Sequence, residues 1–274
     1  MENKKGLIIY APEDVEKNRG FVDSCTSHLK KWGIALELVV LEDKEQPELK
    51  KIDGDISFAI NRSRNKSVAR QLEGMGIRVF NSSYVTEIGN DKWKTYEWAV
   101  RNSVPVLPTK RIPTVYREQD YPVVIKSRAG HGGSEVFKVT NEEEYNECVD
   151  KIEKKGIIQP LADTGGRDVR VYVLGGEIVV SICRQAKDGF KSNFSLGGEV
   201  YRYELLDAEK DLVNKVVSLL KLDYAGIDFI YDGDNLVLNE IEDAVGARMV
   251  YETTDIDIIG RFMEYIRLEL EGVL

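Results

Sequence analysis

The first ninety residues alternate short apolar runs with stretches of helical periodicity. Leu7-Ile8-Ile9-Tyr10 predicts a strand, and Phe21 to Trp32 a helix with apolar and aromatic residues at helical spacing. Ala35 to Val40 and Asp55 to Ile60 predict further strands, Ser67 to Met75 a helix, and Arg78-Val79-Phe80 another strand. Apolar strands alternating with helices indicate a parallel sheet with helices packed on it. Asn90-Asp91 marks a helix start, with Lys92 to Arg101 following and Pro105 and Pro108 ending it. Tyr121 to Lys126 then predicts a strand, residues 130–133 a Gly-rich loop, and Glu135 to Val139 a returning strand. Glu142 to Lys155 reads as a charged helix, and Ile157-Ile158-Gln159 begins a strand that stops at Pro160.

Beyond Pro160 hairpins dominate. Val169 to Leu174 and Glu177 to Arg184 flank Gly175-Gly176, and Gly226 to Tyr231 and Leu236 to Glu242 flank Asp232-Gly233-Asp234-Asn235. Ala208 to Leu220 is an amphipathic helix, and Asp255 to Leu270 closes the chain as another. The pattern predicts a mixed α/β and α+β fold. An N-terminal parallel α/β layer covers 1–88, and two α+β lobes cover 89–161 and 162–274.

Composition narrows the class. The chain has 274 residues, 42% of them hydrophobic, enough for a sizeable core. A formal net charge of −9 argues against general nucleic-acid binding. No stretch approaches the roughly 20 apolar residues that a membrane crossing needs, and Leu7 to Tyr10 is too short for a secretory leader. Cys25, Cys148 and Cys183 are far apart and there are two histidines, so neither a disulfide framework nor a zinc site is expected. A reducing cytoplasm is the simplest location.

Four segments carry candidate chemistry. Side chains alternate faces along a strand, so Glu240 and Glu242 point the same way, and the turn at 232–235 brings Asp228 roughly opposite Glu240. Carboxylates among apolar strand residues are costly to bury without partners. Oxygen ligands of this kind suit Mg2+; a solvated acidic face is the alternative. Lys126 ends the strand Val123-Val124-Ile125 and precedes Gly130, Gly132 and Gly133, whose backbone can approach phosphate oxygens. The spacing matches neither a P-loop nor a dinucleotide fingerprint, and a plain turn is the alternative. Arg184 to Asn193, which includes Lys187 and Lys191, is either a solvated loop or a cationic clamp on a triphosphate and a developing acyl-phosphate. Gln159-Pro160-Leu161 breaks a strand and leaves backbone groups for an adenine edge, and Asp168 suits a ribose hydroxyl. Arg248 either binds a substrate carboxylate or pairs with Glu242 or Asp243. His131 is a loop residue with no assigned role.

In this order the segments resemble the ATP-grasp superfamily, and within it the RimK-like group. That group includes ribosomal-protein glutamate ligases and the amino-acid ligases of lysine biosynthesis by the carrier-protein route. The resemblance covers about Ile60 to Ile266. It rests on Ala59-Ile60-Asn61-Arg62, Gln71 to Gly76, Asn90-Asp91-Lys92, Val124-Ile125-Lys126 and Asp168-Val169-Arg170. Arg184 to Gly198, Gly226-Ile227-Asp228, Glu240 to Gly246 and Thr254 to Ile258 complete it. It implies an ATP-grasp fold with an N-terminal parallel α/β domain, a small lid subdomain and a larger C-terminal α+β lobe, ATP being gripped between the last two.

By the same resemblance Lys92 and Lys126 contact ATP phosphates, the chain from Gln159 through Pro160 and Leu161 meets adenine, and Asp168 meets ribose. Gly130, Gly132 and Gly133 form a lid loop, and Lys191, Ser192 and Asn193 lie near the phosphates. Asp228, Glu240 and Glu242 hold two Mg2+ ions, for which Mn2+ substitutes, and Arg184 sits near the acyl-phosphate. The implied activity is ATP- and Mg-dependent joining of a carboxylate to an amine, with small-molecule, peptide or protein substrates. Phosphoryl transfer needs positioning and charge neutralisation rather than a protein nucleophile, which fits a set of Lys, Arg, Asp and Glu. The chain departs from the group at Glu242, where Asn is usual, at Ala244-Val245, where Ser-Pro is usual, at Pro160 and at Gln185. An ATP-binding protein without ligase activity and a kinase-like phosphotransferase are the alternatives. RimK-like proteins are often oligomeric, so a homo-oligomer is left open.

Overall fold

One parallel sheet and two antiparallel sheets carry the chain in a computed structural model that describes residues 4–42, 49, 55–112, 120–131, 133, 135–186 and 198–273. The first sheet is built from β1 (Lys5–Tyr10), α1 (Pro12–Val15), α2 (Arg19–Lys30), β2 (Ala35–Val40), β3 (Ile56–Asn61), α3 (Lys66–Gly74) and β4 (Arg78–Phe80). Its strand order is β2-β1-β3-β4, with all neighbours parallel. Two helices follow, α4 (Ser83–Gly89) and α5 (Lys92–Arg101). Each has a side-chain cap: Ser82 accepts from the Val85 N–H, and Asp91 accepts from Trp93 and Lys94.

The second sheet contains β5 (Lys110–Arg111), β6 (Val123–Ser127), β7 (Val136–Val139) and β8 (Gly156–Pro160), with α6 (Glu142–Lys151) between β7 and β8. Its order is β5-β8-β6-β7. Helix α6 stops four residues before the expected Lys155 because Glu153 and Lys154 take φ of 51° and 60°, outside the helical region.

The third sheet is formed by β9 (Arg167–Leu174), β10 (Glu177–Gln185), β11 (Glu199–Tyr203), β12 (Tyr224–Asp232) and β13 (Asn235–Glu242), with α7 (Asp207–Leu220) before β12. Its order is β11-β10-β9-β12-β13. The chain ends in α8 (Arg248–Thr253) and α9 (Ile258–Leu270). Helix α9 starts later than Asp255 because Asp257 is its cap and accepts from Gly260 N–H at 2.9 Å. Both hairpins form, with Gly175, Gly176 and Gly233 at the positive φ values that tight turns demand.

One face of the third sheet (Val169, Val171, Val173, Ile227, Phe229) packs against α4, α5 and α7. The other face carries Tyr172, Ile182 and Tyr224, which share a core with Tyr10, Phe58, Ile60 and Phe80 of the first sheet and with Phe262 of α9. The first and third sheets are thus joined by one apolar core. The second sheet keeps its own, around Val123, Ile125, Ile158 and the α6 residues Tyr145 and Val149.

Candidate active site

The polar half of the second face of the third sheet holds six charged side chains. Strand alternation places Asp168 and Arg170 of β9, Arg184 of β10, Asp228 of β12, and Glu240 and Glu242 of β13 on one side. Asp228 pairs across the ladder with Glu240, as the alternation predicts. Arg184 donates from Nε and Nη2 to both oxygens of Asp168, at 2.6 and 2.7 Å, and from Nη2 to Asp228 Oδ2 at 2.7 Å. Arg170 donates to both oxygens of Asp228, at 2.6 and 2.7 Å, and reaches Glu242 Oε2 at 2.7 Å. Burial alone would raise the Asp228 carboxyl. The guanidinium groups of Arg170 and Arg184 overcome that and hold it well below the ordinary carboxylate range.

Two lysines reach this face from other elements. Lys92, at the first turn of α5, donates to Glu240 Oε1 at 2.9 Å and also to the Gly130 carbonyl. Lys126, at the end of β6, donates to Asn239 Oδ1 at 2.8 Å. Asn239 is there because of a bulge. Asp228 pairs with Glu240 but Phe229 pairs with Leu238, so Asn239 is an extra residue in β13. Burial pulls the Lys126 ammonium down to about 8, against the attraction of Glu240. Arg128 pairs with Asp91, and the Lys92 N–H donates to the Arg128 carbonyl at 3.0 Å. The start of α5 is therefore tied to the strand that carries Lys126.

These groups line one cavity of about 850 Å3. Its walls also carry Gln159, Pro160, Leu161 and Asp168, and the cations Lys17, Arg64 and Arg248 with Phe21. Gln159 is buried; its Nε2 donates to Thr109 Oγ1 at 2.9 Å, and its Oε1 has no hydrogen-bond partner. Gly130, His131 and Gly133 also line it. Burial, with Arg64 and Lys92 nearby, pushes the His131 imidazole down to about 4, so it is neutral at pH 7.

Residues 89–266 match the family described as RimK-like ATP-grasp domain. The chain belongs to this family. An uncharacterised protein of Mycoplasma genitalium is 30% identical to this ATP-grasp chain over 98% of each. A probable alpha-L-glutamate ligase of Haemophilus influenzae is 27% identical, covering 74% of this chain and 72% of its own. Among solved structures, the ATP-grasp ligase PsnB, complexed with a phosphomimetic precursor variant, Mg and ADP, superposes with a TM-score of 0.69. That likeness is at 16% identity over 98% of this chain and 99% of the other, and it shows the shared fold.

In this RimK-like protein the cavity brings together Lys92, Lys126, Gly130, Gly133, Gln159, Pro160, Leu161, Asp168, Arg184, Asp228, Glu240 and Glu242. Gly132, Lys187, Lys191, Ser192 and Asn193 lie outside the described residues. Two of these carboxylates are held by arginine. Asp168, expected at a ribose, gives both oxygens to Arg184. Asp228, expected to ligate metal, gives both oxygens to the guanidinium groups of Arg170 and Arg184. The reason is the same in both cases. Arginines on adjacent strands stand between the carboxylates and satisfy them. Sequence reasoning missed Asn239, because alternation puts it opposite Glu240, and a bulge leaves no mark in the apolar pattern. It also missed Arg170 as the group between Asp228 and Glu242, because alternation puts Arg170 and Asp168 on one face of β9 but does not say that β9 pairs with β12.

Proposed function

We propose that this chain is an ATP-dependent carboxylate–amine ligase that forms an amide bond through an acyl-phosphate. The observation that carries this reading is the convergence of Lys92 and Lys126 with Glu240 and Glu242 in one cavity. The orphaned Gln159 Oε1 gives the nucleotide end a test of fit. A buried acceptor without a donor is costly, and the exocyclic amine of adenine supplies one. Pro160 and Leu161 continue that edge. Lys92 and Lys126 then face the phosphates, exchanging their contacts to Glu240 and Asn239 for phosphate oxygens.

The donor set also fits magnesium. Glu240 and Glu242 each commit one oxygen to a cation among the described residues, leaving the other for an all-oxygen coordination sphere. Asp228 joins them when Arg170 or Arg184 releases an oxygen. We assign two ions to this set, with Mn2+ able to replace Mg2+. When bound they neutralise phosphate charge.

The acid substrate's carboxylate oxygen attacks the γ-phosphorus as the bond to the bridging oxygen of ADP breaks. The amine nitrogen then attacks the acyl carbon, phosphate departs, and the amine gives up a proton. Arg184, steered by the two-oxygen fork of Asp168, holds positive charge beside the acyl-phosphate. The loop at 130–133 excludes water. Lys187, Lys191, Ser192 and Asn193 are assigned to the same phosphates on resemblance alone. The cations Lys17, Arg64 and Arg248 on the cavity wall suit a small-molecule or peptide substrate bearing a carboxylate.

The test is release of ADP and phosphate from Mg·ATP with a panel of amino acids and short peptides. We expect release to depend on one acid–amine pair and to fall at least ~10²-fold in Glu240→Gln, the usual cost of losing a preorganised charge. A stable phosphorylated product formed without an amine would identify a phosphotransferase instead. Full turnover in folded Glu240→Gln would overturn the site.

A further inference from the structure

Arg62 follows β3 and is buried, yet among the described residues no carboxylate pairs with it. Its guanidinium instead forks onto two backbone carbonyls. Nη2 donates to Ala244 O and Nη1 to Val245 O, both at 2.9 Å. The guanidinium carbon lies 4.1 Å from the centroid of the Phe21 ring and 5.7 Å from that of Tyr10. Charge-assisted donation to two successive carbonyls from one planar group fixes a loop in both position and direction. A lysine ammonium, a compact point charge, cannot reproduce that fork.

The loop it fixes begins at the end of the carboxylate strand. Glu242 is the last residue of β13, with Gly226 as its ladder partner on one side and residues 243–247 continuing on the other. Asp243, the first of these, is pinned from the same side. Asn81 Nδ2 donates to its carbonyl at 3.2 Å, and Asn90 Nδ2 to its Oδ1 at 2.9 Å. Three successive residues are thus held by side chains preceding α5. Ala244, Gly246 and Ala247 line the same cavity as the carboxylates and Phe21. This stretch, Asp243-Ala244-Val245-Gly246-Ala247, has no proline to stiffen it.

We propose that Arg62 is a positioning residue for the reaction: by clamping the Ala244 and Val245 carbonyls it sets the direction in which β13 ends, and with it the placement of Glu242 toward the metal. The inference rests on the ligase reading only for the metal. The clamp itself is independent of it.

The test compares Arg62→Lys and Arg62→Met with the wild type in two measurements. Hydrogen exchange reads the amides of 243–250 in the absence of ligand. Calorimetry reads ADP affinity with EDTA and with Mn2+. We expect exchange in 243–250 to speed up in both variants while the β9–β12 ladder keeps its protection. We also expect ADP affinity in EDTA to stay within about twofold, and the gain in ADP affinity from Mn2+ to fall by about tenfold or more, the usual cost of losing a group that orients a metal ligand. Arg62→Lys keeps a cation in the site and guards against Arg62→Met failing to fold. Unchanged exchange in 243–250 would overturn the clamp. Parallel loss of metal-free and metal-dependent ADP binding would reduce Arg62 to general stability and overturn the positioning role. A wild type showing no gain from Mn2+ would sink the metal reading, and the exchange result would still decide the clamp.

Discussion

Arg170 stands between Asp228 and Glu242, with a side chain only 13% exposed. Replacing it with Met leaves those carboxylates without their shared counter-ion. Breaking a buried pair from one side costs about 3–5 kcal/mol, so Arg170→Met is expected to lower unfolding free energy in urea by about that much. A loss under 1 kcal/mol would mean that Arg184 alone satisfies Asp228. The sign of the Asp228 effect with pH follows from its depressed carboxyl. Its contribution is complete above the ordinary carboxylate range and is lost as pH falls below it. Lys126 gives the opposite kind of prediction. Burial brings its ammonium to about 8, so metal-free ADP affinity should weaken above pH 8, by up to about tenfold per pH unit. Titration calorimetry between pH 7 and 9 checks it, and Lys126→Arg should flatten the profile. Asp228, Glu240 and Glu242 were legible because period-two alternation survives on their strands. Asn239 and Arg62 were not. One sits in a bulge, and the other is a charge buried by contacts 180 residues away, which no local pattern encodes.

At the scale of elements, long periodic segments were read correctly and short ones were missed. α4 is held by its Ser82 cap and β5 and β11 by their ladder partners β8 and β10, and α1 and α8, of four and six residues, are too short to show an apolar period. α4 matters most for the site. Its last residue, Gly89, approaches β13 so closely that a Cβ would lie 2.8 Å from the Ile241 carbonyl oxygen. That oxygen belongs to a sheet backbone and cannot retreat cheaply. Overpacking costs about 1–3 kcal/mol, more than the roughly 1 kcal/mol a helix gains from Gly to Ala. Gly89→Ala should therefore lower Tm. Gly74→Ala at the end of α3, with nothing within 4 Å of its Cβ, should not. Differential scanning calorimetry on the two variants decides it; equal Tm values would remove the close approach as a constraint.

The whole molecule divides by its cores. The first and third sheets share one, and among the described residues the second sheet is tied to the rest by the Lys126–Asn239, Lys92–Gly130 and Arg128–Asp91 contacts and by the Val106–Leu238 bridge that precedes β5. We propose on this basis that the second sheet is the part that moves over the nucleotide. Its amides should exchange faster than those of β9 and β12 in free protein, and Mg·ADP should slow them selectively. Uniform slowing across all three sheets would argue for one rigid body. The α/β and α+β layers were legible from the change of hydrophobic period, whereas the sharing of a core between the first and third sheets depends on packing partners that the period does not name.

The charges on the site face also bear on how fast a nucleotide arrives. Among the described lining residues, Lys17, Arg64, Lys92, Lys126, Arg170, Arg184 and Arg248 stand against Glu135, Asp168, Asp228, Glu240 and Glu242, seven cations to five anions, so the cleft is locally positive. The chain as a whole carries −9. An incoming polyphosphate therefore meets a repulsive far field from the chain and an attractive near field in the cleft. Added salt screens the two, so stopped-flow association of a fluorescent ADP at rising ionic strength reads which prevails: faster association means the charge of the whole chain, slower association means the cleft.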